Sequence, residues 1–207
     1  MVELQKVVSV KGKKVLEVGA GMGGDSVYLA KQGAFVTALD YTDEALSAIR
    51  EHAKIENVEL SAKLGDTRQL PFNDESFDVV YHQGLLEHFR DPLVILKEHA
   101  RVLRKGGYLA VDVPQTFTTY TIMKKIAIAQ GRWCAGWERA FSIGQLENLL
   151  RAAGLTVVKS YGWGYYGKLH ALRNLKLGDW YESLWRRLDR SRVKLYICWC
   201  IGVIGQK

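Results

Sequence analysis

Apolar runs recur along the chain at residues 15–19, 35–40, 58–64, 77–83, 108–113, 155–160 and 194–204. Over the first 160 residues they alternate with segments whose apolar positions repeat at helical spacing. This alternation predicts a parallel sheet with helices on both faces. The seven runs show no second cluster, so the pattern predicts one sheet in a single domain over residues 1–207. The clearest helix opens at Asp91-Pro92, keeps Leu93, Leu96, Ala100 and Leu103 on one face, and is expected to stop at Gly106-Gly107. Its last turn would hold Arg101, Arg104 and Lys105 at the negative end of the helix dipole. Ser142 and Gln145 form a capping-box pattern ahead of Leu146, Leu149, Leu150 and Ala153, and Gly154 follows. Thr42 is placed to cap a third helix, whose first turn carries Asp43 and Glu44.

Two segments fit the alternation poorly. Residues 114–141 are longer than a connection requires, and residues 161–192 read as helical. Both are candidates for a cap over the sheet edge, with Trp133, Trp137, Trp163 and Tyr165 as apolar walls.

Composition divides the chain. Residues 1–123 carry a net charge of −3 and residues 124–207 a net charge of +10. All six Trp fall in the second part. Within it, residues 179–192 form an amphipathic pattern. Trp180, Tyr181, Leu184, Trp185 and Leu188 share one face, and Arg186, Arg187 and Arg190 the other. A solvated basic helix, a wall of an acceptor pocket and a peripheral membrane contact are all compatible with it. Aromatic and basic residues together also suit RNA, but no recognised RNA-binding module flanks the domain, so nucleic acid is not expected. Cys134, Cys198 and Cys200 lack metal-ligand spacing and read as reduced core thiols. No metal is expected. The first 14 residues lack the apolar run of a signal peptide, and the longest apolar stretch, 195–205, is too short to span a bilayer. A cytoplasmic location follows as an expectation.

The strongest local signal lies at residues 15–30. An apolar strand enters a loop holding Gly19, Gly21, Gly23 and Gly24, and a helix leaves it. Such glycines let a ligand approach the backbone, and the helix beyond presents free N–H groups. Gly19, Gly21 and Gly24 also fit the dinucleotide pattern, and Asp40 after the second strand suits ribose hydroxyls for either type of ligand.

Further motifs separate these readings. The order Glu17-Val18-Gly19-Ala20-Gly21-Met22-Gly23, Asp40 in VTALDYT, Gly65-Asp66 in LGDTRQLPF, FDVVYHQGLLEHF at 77–89 and GGYLAVDVP at 106–114 resembles the class I S-adenosylmethionine-dependent methyltransferases. It resembles especially the small-molecule group that includes ubiquinone-biosynthesis enzymes. The resemblance spans roughly residues 13–160. It implies a Rossmann-like doubly wound α/β sheet of seven strands, order 3-2-1-4-5-7-6, with the last strand antiparallel. Residues 13–113 would form the cofactor-binding core, and 114–141 and 161–192 the acceptor cap.

The resemblance also implies roles. Asp40 would accept hydrogen bonds from the cofactor's ribose and Asp66 from its adenine amino group. Gly19, Ala20 and Gly21 would pass beneath the cofactor, Gln83 and Gly84 would sit near its methionine part, and Glu17 would organise the loop. Leu64, Thr67 or Tyr41 would pack on adenine. The sulfonium already activates the methyl group, so alignment supplies most of the catalysis, about 7–11 kcal/mol. A general base is needed only where the acceptor loses a proton. His88 is the first candidate, with His82, Glu87 and the more remote His170 behind it. The reading is methyl transfer to a small-molecule or lipid-like acceptor. Its rivals are an RNA or protein methyltransferase, an NAD-dependent oxidoreductase, and a non-catalytic cofactor-binding partner subunit.

Overall fold

A computed structural model describes residues 1–133, 136–164, 187, 191–196 and 198–207 of the chain. Seven strands form one sheet in the order β3-β2-β1-β4-β5-β7-β6. They are β1 (Lys14–Val18), β2 (Phe35–Asp40), β3 (Ser61–Leu64), β4 (Phe77–Gln83), β5 (Leu103–Pro114), β6 (Thr156–Trp163) and β7 (Cys200–Gln206). The first five run parallel, and β7 lies antiparallel between β5 and β6. The α/β class, the strand order and the reversed last strand all agree with expectation.

The helices are α1 (Val2–Gln5), α2 (Gly24–Lys31), α3 (Asp43–Ile55), α4 (Pro92–Val102), α5 (Thr119–Ala129) and α6 (Ile143–Ala152). One face of the sheet buries Leu16, Val80, Leu109, Val111 and Val203 with Ile95 and Leu96 of α4 and Leu146 and Leu150 of α6. The other buries Val15, Val79, Tyr81, Ala110 and Ile204 with Leu4 of α1 and Leu29 of α2. Strand residues alternate between the two cores because successive side chains point to opposite faces. The caps form as the sequence predicts. Thr42 Oγ1 accepts from Ala45 N–H at 3.2 Å, Asp91 Oδ1 from Leu93 N–H at 3.1 Å, and Ser142 and Gln145 complete a capping box.

Several boundaries differ from expectation. Helix α4 stops at Val102, not at Gly106-Gly107, because Leu103 already pairs with Phe77 in the sheet. Arg104 and Lys105 therefore lie in β5, and of the expected basic cluster only Arg101 remains in the helix's last turn. There it bonds Glu98, Asp74 and the carbonyl oxygens of Leu70 and Phe72, tying the chain after β3 to α4. The third strand is Ser61–Leu64, shorter than the apolar run. The last strand starts only at Cys200, since Arg192–Tyr196 forms a 3-10 turn. Residues Tyr161–Trp163, expected in a helix, extend β6. The 114–141 segment contains α5, capped by Thr118. The amphipathic pattern at 179–192 and His170 lie outside the described residues apart from Arg187, Ser191 and Arg192.

Candidate active site

The parallel strands β1, β2, β3 and β4 end along one edge of the sheet, where open α/β folds bind ligands. The loop leaving β1 is drawn across to β2. Gly19 N–H and Ala20 N–H both donate to the Leu39 carbonyl oxygen, at 2.8 and 3.1 Å. Gly19, Gly21 and Gly23 all have positive φ, which only glycine adopts freely. A side chain on Gly19 would meet Leu85, whereas one on Gly21 would meet nothing within 4 Å. The backbone at Gly21 thus borders open space just before the N-terminus of α2.

Asp40, at the end of β2, holds this loop in place. One carboxylate oxygen accepts from Gly21 N–H at 2.8 Å, and the other from Tyr41 N–H at 2.7 Å. Beside it is a cavity of about 480 Å³ lined by Gly19, Asp40, Tyr41, Gly65, Asp66 and Leu85, among others. This volume falls in the range of small-molecule sites. Asp66 accepts from the Arg68 N–H at 2.8 Å and faces its guanidinium at 2.5–3.0 Å. The Arg68 side chain, and then its backbone N–H, hold the Asp66 carboxyl below the usual range. Thr67 and Arg68 also line the cavity. The Thr67 hydroxyl is turned to His99 Nε2 at 2.8 Å, while Tyr41 is 73% exposed over the mouth. Leu64, the other candidate for packing on adenine, is exposed at the end of β3.

Glu17 is buried under the loop, where its carboxylate accepts from the Ser26 hydroxyl. Burial pushes its carboxyl up to about 7 against the opposing Ser26 hydrogen bond, with Asp25 and Asp40 adding repulsion.

These features coincide with likeness to known proteins. Residues 16–111 match a family described as a methyltransferase domain. The ubiquinone biosynthesis O-methyltransferase of Coxiella burnetii is 33% identical over 106 residues, 51% of this chain and 45% of that protein. The demethylmenaquinone methyltransferase of Corynebacterium glutamicum is 41% identical over 100 residues, 48% and 41% respectively. Over this stretch the chain resembles the S-adenosylmethionine-dependent methyltransferases. It spans about half the length of the curated relatives it matches. Its fold is that of an S-adenosylmethionine-dependent methyltransferase from Mesorhizobium loti, with a TM-score of 0.72 over 100% of this chain and 96% of that one at 16% identity.

The crevice fits S-adenosylmethionine. The cavity offers two carboxylates, apolar walls and a backbone stripped of a side chain at Gly19. Gln83 and Gly84 follow directly at the end of β4. Gly84 has positive φ and donates its N–H to the Asp112 carbonyl oxygen at 3.1 Å.

The base candidates separate by burial. His82 is fully buried, stacked edge-on against His99 at 5.1 Å, and neither ring nitrogen has a partner among the described residues. Burial, reinforced by His99, pushes it well below its ordinary value, so it is a neutral core residue and not a base. His88 is exposed in the 3-10 turn Leu86–His88 that follows the β4 loop. Glu87 is buried, and burial raises its carboxyl to about 7. Among the described residues no group of His, Cys, Asp and Glu is arranged to hold a metal ion, and no helix is long and apolar enough to cross a membrane.

Sequence reasoning missed a second polar cluster on the other side of the β4 loop. Asp112, near the C-terminal end of β5, is 2% exposed. It accepts from the Tyr161 hydroxyl at 2.8 Å and from Trp163 Nε1–H at 3.1 Å. Tyr81 OH lies 2.9 Å from an Asp25 carboxylate oxygen and 2.8 Å from the Gln83 amide. A phenol has one proton, so with Asp25 accepting it the Gln83 amide must turn its NH₂ toward Tyr81. The available signal was an acid in the apolar run of β5, since a buried charge needs partners. Room for the cluster comes from Gly202 of β7. A Cβ there would collide with the Tyr161 ring and lie 2.5 Å from Asp112 Oδ1. Gly202→Ala should therefore destabilise the protein by about 1–3 kcal/mol and shift the near-ultraviolet circular dichroism of the aromatic cluster. A melting temperature equal to that of the parent would show that the cluster yields freely.

Proposed function

We propose that the protein binds S-adenosylmethionine across the β1, β2 and β4 loops and transfers its methyl group to a small-molecule acceptor. The observation that carries this reading is the placement of Asp40 and Asp66 on one cavity beside the side-chain-free backbone of Gly19 and Gly21. The bound cofactor supplies a methyl group on a positively charged sulfur, which keeps the bonding pair as the methyl leaves.

The residues divide the work of binding. Asp40 takes the ribose hydroxyls with the carboxylate that already orders Gly21, and Asp66 takes the adenine amino group in exchange for Arg68. Tyr41 covers the adenine from its exposed position. Ala20 and Gly21 pass beneath the cofactor, and Glu17 sets their geometry from below. Gln83 and Gly84 border the methionine part. His88 is the candidate base on the loop surface. The relatives' names, one an O-methyltransferase of ubiquinone biosynthesis and one a demethylmenaquinone methyltransferase, support a ring-bearing acceptor. Residues 13–113 form the cofactor core of a single domain in this reading, with 114–141 and 161–192 closing over the acceptor. A cytoplasmic location, and peripheral membrane contact through 179–192, go with a lipid-like acceptor.

Calorimetry tests the cofactor. The protein should bind S-adenosylmethionine and its demethylated product, S-adenosylhomocysteine, and give no heat with NAD. Heat with NAD and none with either adenosyl ligand would replace the methyltransferase reading with the oxidoreductase one.

A further inference from the structure

Beyond the β4 loop from the cofactor crevice lies a second cavity, of about 350 Å³, lined by Gln83, Asp112, Tyr161, Gly162, Trp163 and the first three residues of the chain. Leu85 borders the first cavity and Gln83 the second, so the same short loop separates them. Parallel pairing places Asp112 directly opposite Gln83. The second cavity thus continues the sheet edge from the point where the cofactor's methionine part would end.

The walls have a definite chemistry. Trp163 is 41% exposed and Tyr161 is buried, giving one aromatic flank. Among the described residues, Tyr161 OH and Trp163 Nε1–H donate to the Asp112 carboxylate, one to each oxygen. A carboxylate offers about four lone-pair positions, so each oxygen keeps capacity for a further donor. Gly202 lacks the side chain that would exclude this arrangement. A purely structural acid could be replaced here by an apolar residue, as at the neighbouring Val111 and Val113.

We propose that this cavity receives the acceptor and that Asp112, in place of His88, which does not line the cavity, accepts the proton of a phenolic hydroxyl whose ring packs against Trp163. The inference rests on the methyltransferase reading. The acceptor's O–H bond breaks, its proton passes to the Asp112 carboxylate, and its electron pair stays on the oxygen that takes the methyl group. The carboxyl then returns the proton to water. Burial raises Asp112 to about 6, against the Tyr161 and Trp163 hydrogen bonds and the chain's α-amino group, with Asp25 opposing ionisation. Tyr161 is pushed upward by burial and by Asp112, as is Tyr81, chiefly by burial, so both remain protonated donors. Cys200, raised to about 12, is a neutral neighbour. At neutral pH the carboxylate is the ionised form that can take a proton.

Catechol is the test probe, added to protein saturated with S-adenosylhomocysteine. Its binding should change tryptophan fluorescence, and Trp163→Phe should remove that change. Asp112→Asn should weaken catechol binding roughly 10- to 150-fold while leaving S-adenosylhomocysteine affinity at the parent value. With S-adenosylmethionine, catechol methylation should fall below about pH 6 in the parent. Tyr161→Phe, which keeps the carboxylate and removes a donor to it, should move that limb to higher pH. No catechol binding or methylation overturns the proposal, as does equal catechol affinity in Asp112→Asn. Loss of S-adenosylhomocysteine binding in a folded Asp112→Asn variant also overturns it, by assigning Asp112 to the cofactor. If the parent itself fails to bind S-adenosylhomocysteine, the methyltransferase reading falls, and this inference with it.

Discussion

Asp40→Ala is expected to weaken S-adenosylhomocysteine binding roughly 10- to 150-fold, because a hydrogen bond to a charged acceptor contributes about 1.5–3 kcal/mol. The upper part of that range is the more natural outcome here. Asp40 serves two partners, since the carboxylate proposed to meet the ribose also holds Gly21 N–H at 2.8 Å and Tyr41 N–H at 2.7 Å. Removing it takes away the ligand contact and frees the glycine loop over which the ligand would lie. The fold should persist, because Asp40 is only half-buried at the strand end while Ala38 and Leu39 before it carry the packing. Asp40→Asn, which can still accept from Gly21, should fall between alanine and the parent. Calorimetry on the three proteins decides. Unchanged affinity in a folded Asp40→Ala variant would remove the residue from the site.

Glu17→Gln should raise thermal stability, and only at neutral to alkaline pH. The Glu17 carboxyl is raised from 4.5 to about 7 in the folded protein, chiefly by burial. A carboxyl raised by folding favours the protonated form. Its stabilising contribution is complete below about 4.5 and is lost as pH rises through about 7. Each pKa unit corresponds to 1.36 kcal/mol, so at pH 8 the buried charge costs about 2–4 kcal/mol. Glutamine keeps an oxygen for the Ser26 hydroxyl and carries no charge. The variant should therefore melt higher by roughly 5–15 °C at pH 8 and match the parent near pH 4. Melting curves at the two pH values provide the check. An equal shift at both would mean that the effect is packing and not charge. A charge retained at such cost beneath a loop proposed to meet a cationic sulfonium fits the trade of stability for function.

Half of this architecture follows from short-range physics. Alternating apolar runs dictate strands, since a sheet buried on both faces needs apolar residues at consecutive positions. Thr42, Asp91 and Ser142 cap their helices because the bond each makes reaches only two or three residues along the chain. The glycine loop and the acid ending β2 were legible for the same reason. Each is a local arrangement whose backbone conformation restricts the residue that can occupy it.

Other features depend on partners far away in sequence. Strand pairing with Phe77 ends α4 at Val102, overriding a helical pattern that runs to Leu103, and β7 begins at Cys200 because only there does it meet Pro114 and Trp163. His82 looked like a base by its place near Glu87-His88. Strand alternation turns it inward to His99, where desolvation keeps it neutral. Asp112, Tyr161, Trp163 and Gly202 stand up to 90 residues apart and carry no common motif. Their meeting is a consequence of β7 inserting antiparallel between β5 and β6. Sequence pattern thus determined the class of fold, the glycine loop after β1 and the acid that ends β2. The tertiary structure decided which polar side chains are desolvated together, because desolvation depends on what packs around a group and not on its neighbours along the chain.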